Sequence, residues 1–124
     1  MADVYRLAQM RGVLASSLDS IATAPAAPRI RQFAQTYRQI THTTFDVLGR
    51  EPVLLFADTV LPLFETHIPK IDSYIRQTDY KNALAETYGA LSGSHSLIRN
   101  GLRPNIAMSL LPGIPVYVPS PEDN

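Results

Sequence analysis

The sequence contains no cysteine and no tryptophan. The first absence rules out disulfide bridges, thiolate nucleophiles and cysteine-ligated zinc centres. It leaves the compartment open, with the cytosol as the default expectation. Charge is scarce as well: 18% of residues are charged, below the usual quarter, and 11 Lys+Arg balance 11 Asp+Glu for a formal net charge of zero. Such a chain projects little long-range field, which disfavours nucleic acid and anionic membrane as partners. Apolar runs are interrupted too often to supply the roughly 20 consecutive residues of a membrane-spanning helix. The opening MADVYRLAQMRG carries an acid early and no continuous apolar block, so it does not read as a secretory signal.

What is present fits one globular domain with a modest core: 124 residues, 45% of them apolar. A surface this poor in charge also leaves room for part of it to be covered by a partner or a second copy. The chain divides by character into residues 1–101, rich in helical periodicity, and residues 102–124, where prolines cluster.

The organising stretch is 51–68, EPVLLFADTVLPLFETHI. Val53, Phe56, Val60, Leu63 and Phe64 fall on one side at helical spacing, and Leu54, Leu61 and Ile68 recur every seven residues on another. A helix apolar on two sides belongs between neighbours. Asp58 and Glu65 share its narrow polar strip. Pro52 suits a first turn, whereas Pro62 predicts a kink or break at 59–61.

Around it, a first helix is expected over 3–22, with Val4, Leu7, Ala8, Leu14, Ala15, Leu18, Ile21 and Ala22 inward. Thr23-Ala-Pro-Ala-Ala-Pro28 ends it. A second helix over 29–48 has the stripe Ile30, Phe33, Ala34, Tyr37, Ile40, Thr44, Val47 and Leu48, with Gly49 as its stop. These two should form an antiparallel hairpin. Pro69 marks a separate short segment, IDSYIRQ, and Thr78 or Asp79 can cap a helix running from Tyr80 toward Gly101. The fold class is therefore all-α, a small bundle of four to five helices with an extended proline-rich C-terminal tail. Residues 76–91, RQTDYKNALAETYGAL, resemble the turn and second helix of a tetratricopeptide-type hairpin at Asp79, Tyr80, Ala83, Leu84, Tyr88, Ala90 and Leu91. The resemblance spans barely one hairpin, with no second copy at a period of about 34 residues, so it implies packed helical hairpins and no repeat array.

Beyond Gly101, Asn105 to Leu111 can make one short helix. Pro112, Pro115, Pro119 and Pro121 then force an extended or polyproline-like path. This tail is apolar: Leu111, Ile114, Val116, Tyr117 and Val118 are residues that bury, so the strap must find a groove on its own domain or on another molecule.

Candidate chemistry is thin. His42 and Asp46 sit four apart on one helix face, but a metal site needs further ligands, and Glu65, His67 and His95 lack ligand spacing. Ser92-Gly-Ser-His-Ser96 has neither the strand–turn–helix context of a nucleophile elbow nor an evident orienting acid. No catalytic residue, metal or cofactor is expected. Ala85, Gly89 and Gly93 form a ridge of small residues, suited to an internal helix contact or to a homodimer seam. Arg31, Gln35 and Arg38 form a mildly basic helix face, the basis of an alternative reading as a nucleic-acid-binding helical domain. The leading expectation is a non-enzymatic helical interaction or assembly module. It would pair with another protein or a second copy of itself, as in a homo-oligomer or larger complex, a virus- or phage-type particle among the possibilities.

Overall fold

A computed structural model describes residues 3–50, 53–101 and 111–123. Four α-helices account for most of it: α1 (Asp3–Ala22), α2 (Pro28–Leu48), α3 (Ala57–Arg76) and α4 (Tyr80–Gly101). Single 3-10 turns lie at Val53–Phe56 and Pro121–Asp123, and there is no strand among the described residues. The all-α bundle read from the sequence is what the chain forms. The expected short helix around 105–111 falls largely outside the described residues.

Two hairpins make the bundle. α1 packs on α2, α3 packs on α4, and the hairpins join with α1 beside α3 and α2 beside α4. Successive helices alternate in direction, so those last two pairs are parallel, and the link from α2 to α3 crosses the diagonal of the bundle. Core residues recur at intervals of seven, two helical turns apart on one face: Leu14 and Ile21, Ile30 and Tyr37, Phe64 and Ile71, and Leu84, Leu91 and Ile98 are all fully buried. Each contributes about 1.5–3 kcal/mol relative to exposure, against the entropy of ordering it. No helix among the described residues is long and apolar enough to cross a membrane.

α2 begins as the sequence suggests, with Pro28 in its first turn. It stops at Gly49, whose N–H donates to Phe45 O at 3.0 Å. α3 departs from expectation. There is no break at 59–61 and no separate segment after Pro69, because one helix runs through both prolines. The change in winding comes earlier, where the Val53–Phe56 turn meets Ala57. Pro62 and Pro69 are seven apart and both exposed, so the backbone N–H that each lacks is missing on the outer side of the helix, where water is at hand. Val60, Leu61, Phe64 and Ile71 stay buried inside.

The α3–α4 corner has no spare residues. Thr78 N–H donates to Ile75 O at 2.9 Å and Asp79 N–H to Tyr74 O at 2.8 Å, a Schellman closure of α3. Asp79 then caps α4, its carboxylate accepting from the N–H of Asn82 at 3.3 Å. Thr78 pays for this tightness with a φ of 55°, in the left-handed region that a β-branched residue rarely enters.

Candidate functional site

After residue 110 the chain returns along the bundle as an extended strap, from Leu111 to Ser120, in the groove between α2 and α4. Its path follows from its prolines, which forbid helix, and from its alternation. Tyr117 points in and is buried, while Val116 and Val118 on either side are 57% and 62% exposed.

α2 receives the strap with Arg29, Phe33 and Tyr37, which share one face at intervals of four. The Tyr37 hydroxyl donates to Pro115 O at 2.7 Å, and burial pushes its pKa up to about 12. Phe33 meets the ring of Tyr117 edge-on, with centroids 5.1 Å apart. The Arg29 guanidinium lies 5.0 Å from the Tyr117 centroid and 5.2 Å from that of Phe33. It also donates to Val118 O at 2.7 Å and to Asp123 Oδ2 at 2.6 Å. That same carboxylate oxygen accepts from the Tyr117 hydroxyl at 2.6 Å and from Ser120 N–H at 2.9 Å. Burial alone would raise the Asp123 pKa, but these donors outweigh it and hold the carboxyl below its ordinary value. Tyr117 is driven the other way, first by burial and then by the carboxylate it faces.

Farther along the strap, Gly113 and Ile114 face α4 across a cavity of about 180 Å³, lined on the helix side by Ser92, His95, Ser96 and Arg99 among others. His95 is fully buried. Its Nε2 lies 2.7 Å from Thr44 Oγ1 of α2, and its Nδ1 is buried with no hydrogen-bond partner among the described residues. Burial, reinforced by the positive charge of Arg99, lowers its pKa to about 4, so the ring is neutral at pH 7.

The residues singled out from the sequence are distributed as follows. Gly89 and Gly93 face α3: a β-carbon on Gly93 would stand 2.9 Å from Leu63 Cδ2, and one on Gly89 would stand 3.6 Å from His67 Cε1. Two thirds of the small-residue ridge therefore serve an internal contact, and only Ala85 is exposed. Leu111 and Tyr117 are likewise spent within the chain, Ile114 is half-buried, and Val116 and Val118 remain outside.

Arg31 and Gln35 line one shallow hollow, whereas Arg38 is drawn to Asp19 of α1 at 2.6 Å. His42 and Asp46 do not pair directly. Arg11 stands between them, donating to His42 Nδ1 at 2.9 Å and to Asp46 Oδ1 at 2.6 Å. His67 meets Glu86 at 2.7 Å. No three His, Asp or Glu side chains converge on one point among the described residues.

One surface was misread from sequence. Val4 and Ala8, assigned to the inner face of α1, are exposed. With Tyr5 at 76% and Val13 at 44% exposure, they border an uncharged outer strip that also carries Gln9, with Val4 and Val13 nine residues apart at its opposite edges. Small residues run down it at intervals of four, Ala8, Gly12 and Ser16, and a β-carbon at Gly12 would meet nothing within 4 Å. The signal was available: Tyr5 and Val13 are apolar residues lying off the inner stripe. Beside this face is a hollow of about 190 Å³ lined by Val4, Leu7, Ala8 and Phe45 among others.

No protein-family model, curated protein or solved structure shows significant similarity to the chain.

Proposed function

We propose that this chain is a non-enzymatic helical assembly module that pairs with a second copy of itself through the outer face of α1. The observation that carries the reading is the exposed, uncharged strip centred on Tyr5 and Gly12, with Val4 and Val13 at its edges. A contiguous exposed apolar patch is a mark of interaction surfaces. We take a second copy as the occupant: Tyr5 projects from the N-terminal part of α1, which also borders a hollow lined by Val4, Leu7, Ala8, Arg11, Phe45 and Gly49, so a two-fold axis near Ala8 would set each copy's tyrosine against the other's hollow. Tyrosine is a favoured anchor at such contacts, and small residues at Ala8, Gly12 and Ser16 let two backbones approach closely. The flanking cations bring no unpaired charge to the seam, because Arg6 is held by Glu65 and Arg11 by Asp46.

Sedimentation equilibrium across a wide concentration range tests this. The full chain should move from monomer toward dimer as concentration rises. Tyr5→Ser and Val13→Glu should abolish the shift while leaving the helical circular dichroism unchanged. A full chain that stays monomeric throughout, or association that survives both substitutions, overturns the proposal. Loss of association in Val116→Ser/Val118→Ser alone would move the contact to the strap and overturn the assignment to α1. A nucleic-acid role through Arg31, Gln35 and Arg38 has less support, since Arg38 is already committed to Asp19.

A further inference from the structure

We propose that the face of α2 bearing Arg29, Phe33 and Tyr37 is a recognition groove for an extended peptide, with the strap as its displaceable resident. The partner carries a proline two residues before a tyrosine and an acidic side chain six residues after it, as Pro115, Tyr117 and Asp123 do here. The strap defines this chemistry, because each of its contacts on α2 is non-covalent and could be made by a separate chain. Tyr37 donates its hydroxyl to a main-chain carbonyl, Pro115 O at 2.7 Å. Arg29 donates to a second carbonyl, Val118 O at 2.7 Å, and to the Asp123 carboxylate at 2.6 Å. The Tyr117 ring packs against both neighbours, its centroid 5.1 Å from that of Phe33 and 5.0 Å from the guanidinium. The two carbonyls fix the path of an extended chain, and the ring and the acid select its sequence. Prolines hold such a segment extended before it binds, which lowers the entropy lost on docking.

The hold on the resident is light. Among the strap's described side chains Leu111, Tyr117 and Asp123 are buried, whereas Pro115, Val116, Val118 and Pro119 are exposed. The largest fully buried side chains all belong to the four helices, so the strap lies over a core that the helices supply. A segment with few buried side chains opens at a lower free energy than the body it covers. Once open, the groove offers the Tyr37 hydroxyl, the Arg29 guanidinium and the Phe33 ring to another chain. Arg29 is 40% exposed even while it holds Asp123, which leaves it within reach of an incoming carboxylate.

The test uses the full chain and a fluorescent peptide of residues 111–123, read by fluorescence anisotropy. Tyr117→Ser/Asp123→Asn releases the strap and leaves the groove residues in place, and this variant should bind the peptide saturably. The parent should bind about tenfold or more weakly, since only the fraction with an open strap is competent. Arg29→Gln added to the released variant should weaken binding about tenfold, and a peptide with serine for its tyrosine should fail to compete. Millimolar unlabelled peptide should also move the nitrogen-15 resonances of 111–123 in the parent toward those of a free segment, a readout that needs no substitution. Absence of binding to a released variant of unchanged helical circular dichroism, strap resonances that stay fixed, or binding that Arg29→Gln leaves unaltered overturns the groove. Parent dimers that the peptide dissociates would give the groove to the strap of a second copy and overturn its assignment to a separate partner.

Discussion

The guanidinium of Arg29, in the first turn of α2, lies 2.6 Å from the carboxylate of Asp123, 94 residues away in sequence. That oxygen also holds Tyr117 and Ser120. One carboxylate therefore fastens the far part of the strap both to the bundle and to itself, and the first prediction follows from it. Asp123→Asn should speed amide hydrogen exchange across 111–123 several-fold or more while leaving the core of α4 protected. Low pH should do the same. The folded-state pKa of Asp123 lies below the ordinary 3.8. Its contribution is thus complete above that value and is lost as pH falls through the lower folded pKa. Exchange of the strap, corrected for intrinsic rates, should rise on acidification before the bundle unfolds. A strap as protected in Asp123→Asn as in the parent chain would refute the latch.

His95 sets a second pH dependence, at higher pH. Its pKa falls from 6.5 in the unfolded chain to about 4 in the fold. The unfolded state binds the proton more readily, so stability is complete above 6.5 and declines as pH drops toward 4. The loss amounts to roughly 3 kcal/mol across that interval. Urea denaturation at a series of pH values should show this slope, and His95→Gln should flatten it.

Thr78 closes α3 at a position that favours glycine. Thr78→Gly should stabilise the chain by about 1 kcal/mol, since it removes the steric cost of φ 55° and keeps both Schellman hydrogen bonds. The flexibility glycine adds to the unfolded chain keeps the gain modest. A denaturation midpoint that moves downward would contradict the strain.

The two glycines of α4 should respond differently to alanine. At Gly89 the new methyl would make an ordinary contact with His67, so the helix-propensity gain of about 0.5–1 kcal/mol should appear nearly in full. At Gly93 the methyl would press on the tip of Leu63 at 2.9 Å. That side chain must shift, which offsets the gain and leaves Gly93→Ala close to neutral. Gly93→Leu should destabilise by about 1–3 kcal/mol through overpacking. Chemical denaturation of the three variants separates these outcomes.

How much of this was legible depended on whether one face of a helix decided its fate. α2 was clear because Ile30, Ala34, Tyr37, Ile40, Thr44, Val47 and Leu48 form a single apolar stripe, and all of them are buried. α1 was not, because its apolar residues are spread around the helix: Val4, Tyr5 and Val13 lie across the arc that the bundle leaves uncovered. Periodicity finds apolar residues but does not say what will lie against them. Pro62 produced no break for a related reason: the penalty of an internal proline depends on whether the carbonyl facing it reaches water, which requires knowing the exposed side. The strap's need for a groove could be read from Tyr117 and its neighbours, but the groove could not. Of its receiving residues, Phe33 and Tyr37 were visible only as part of a helix stripe, and Arg29 lay outside that stripe. His95 drew notice for its serine neighbours and as a distant metal donor. The partner that matters, Thr44, is 51 residues away on another helix.

The diagonal link between α2 and α3 carries a kinetic consequence. Each hairpin closes over a short connection and can form early at small entropic cost. The seat of the strap exists only once α2 and α4, one from each hairpin, lie side by side. Where docking of the two hairpins limits the rate, contacts such as Arg29–Asp123 form after it and are absent from the folding transition state. Interactions of that kind leave the folding rate nearly untouched and act on the unfolding rate. The strap would then govern how long the native chain persists, and the hairpins how fast it is reached.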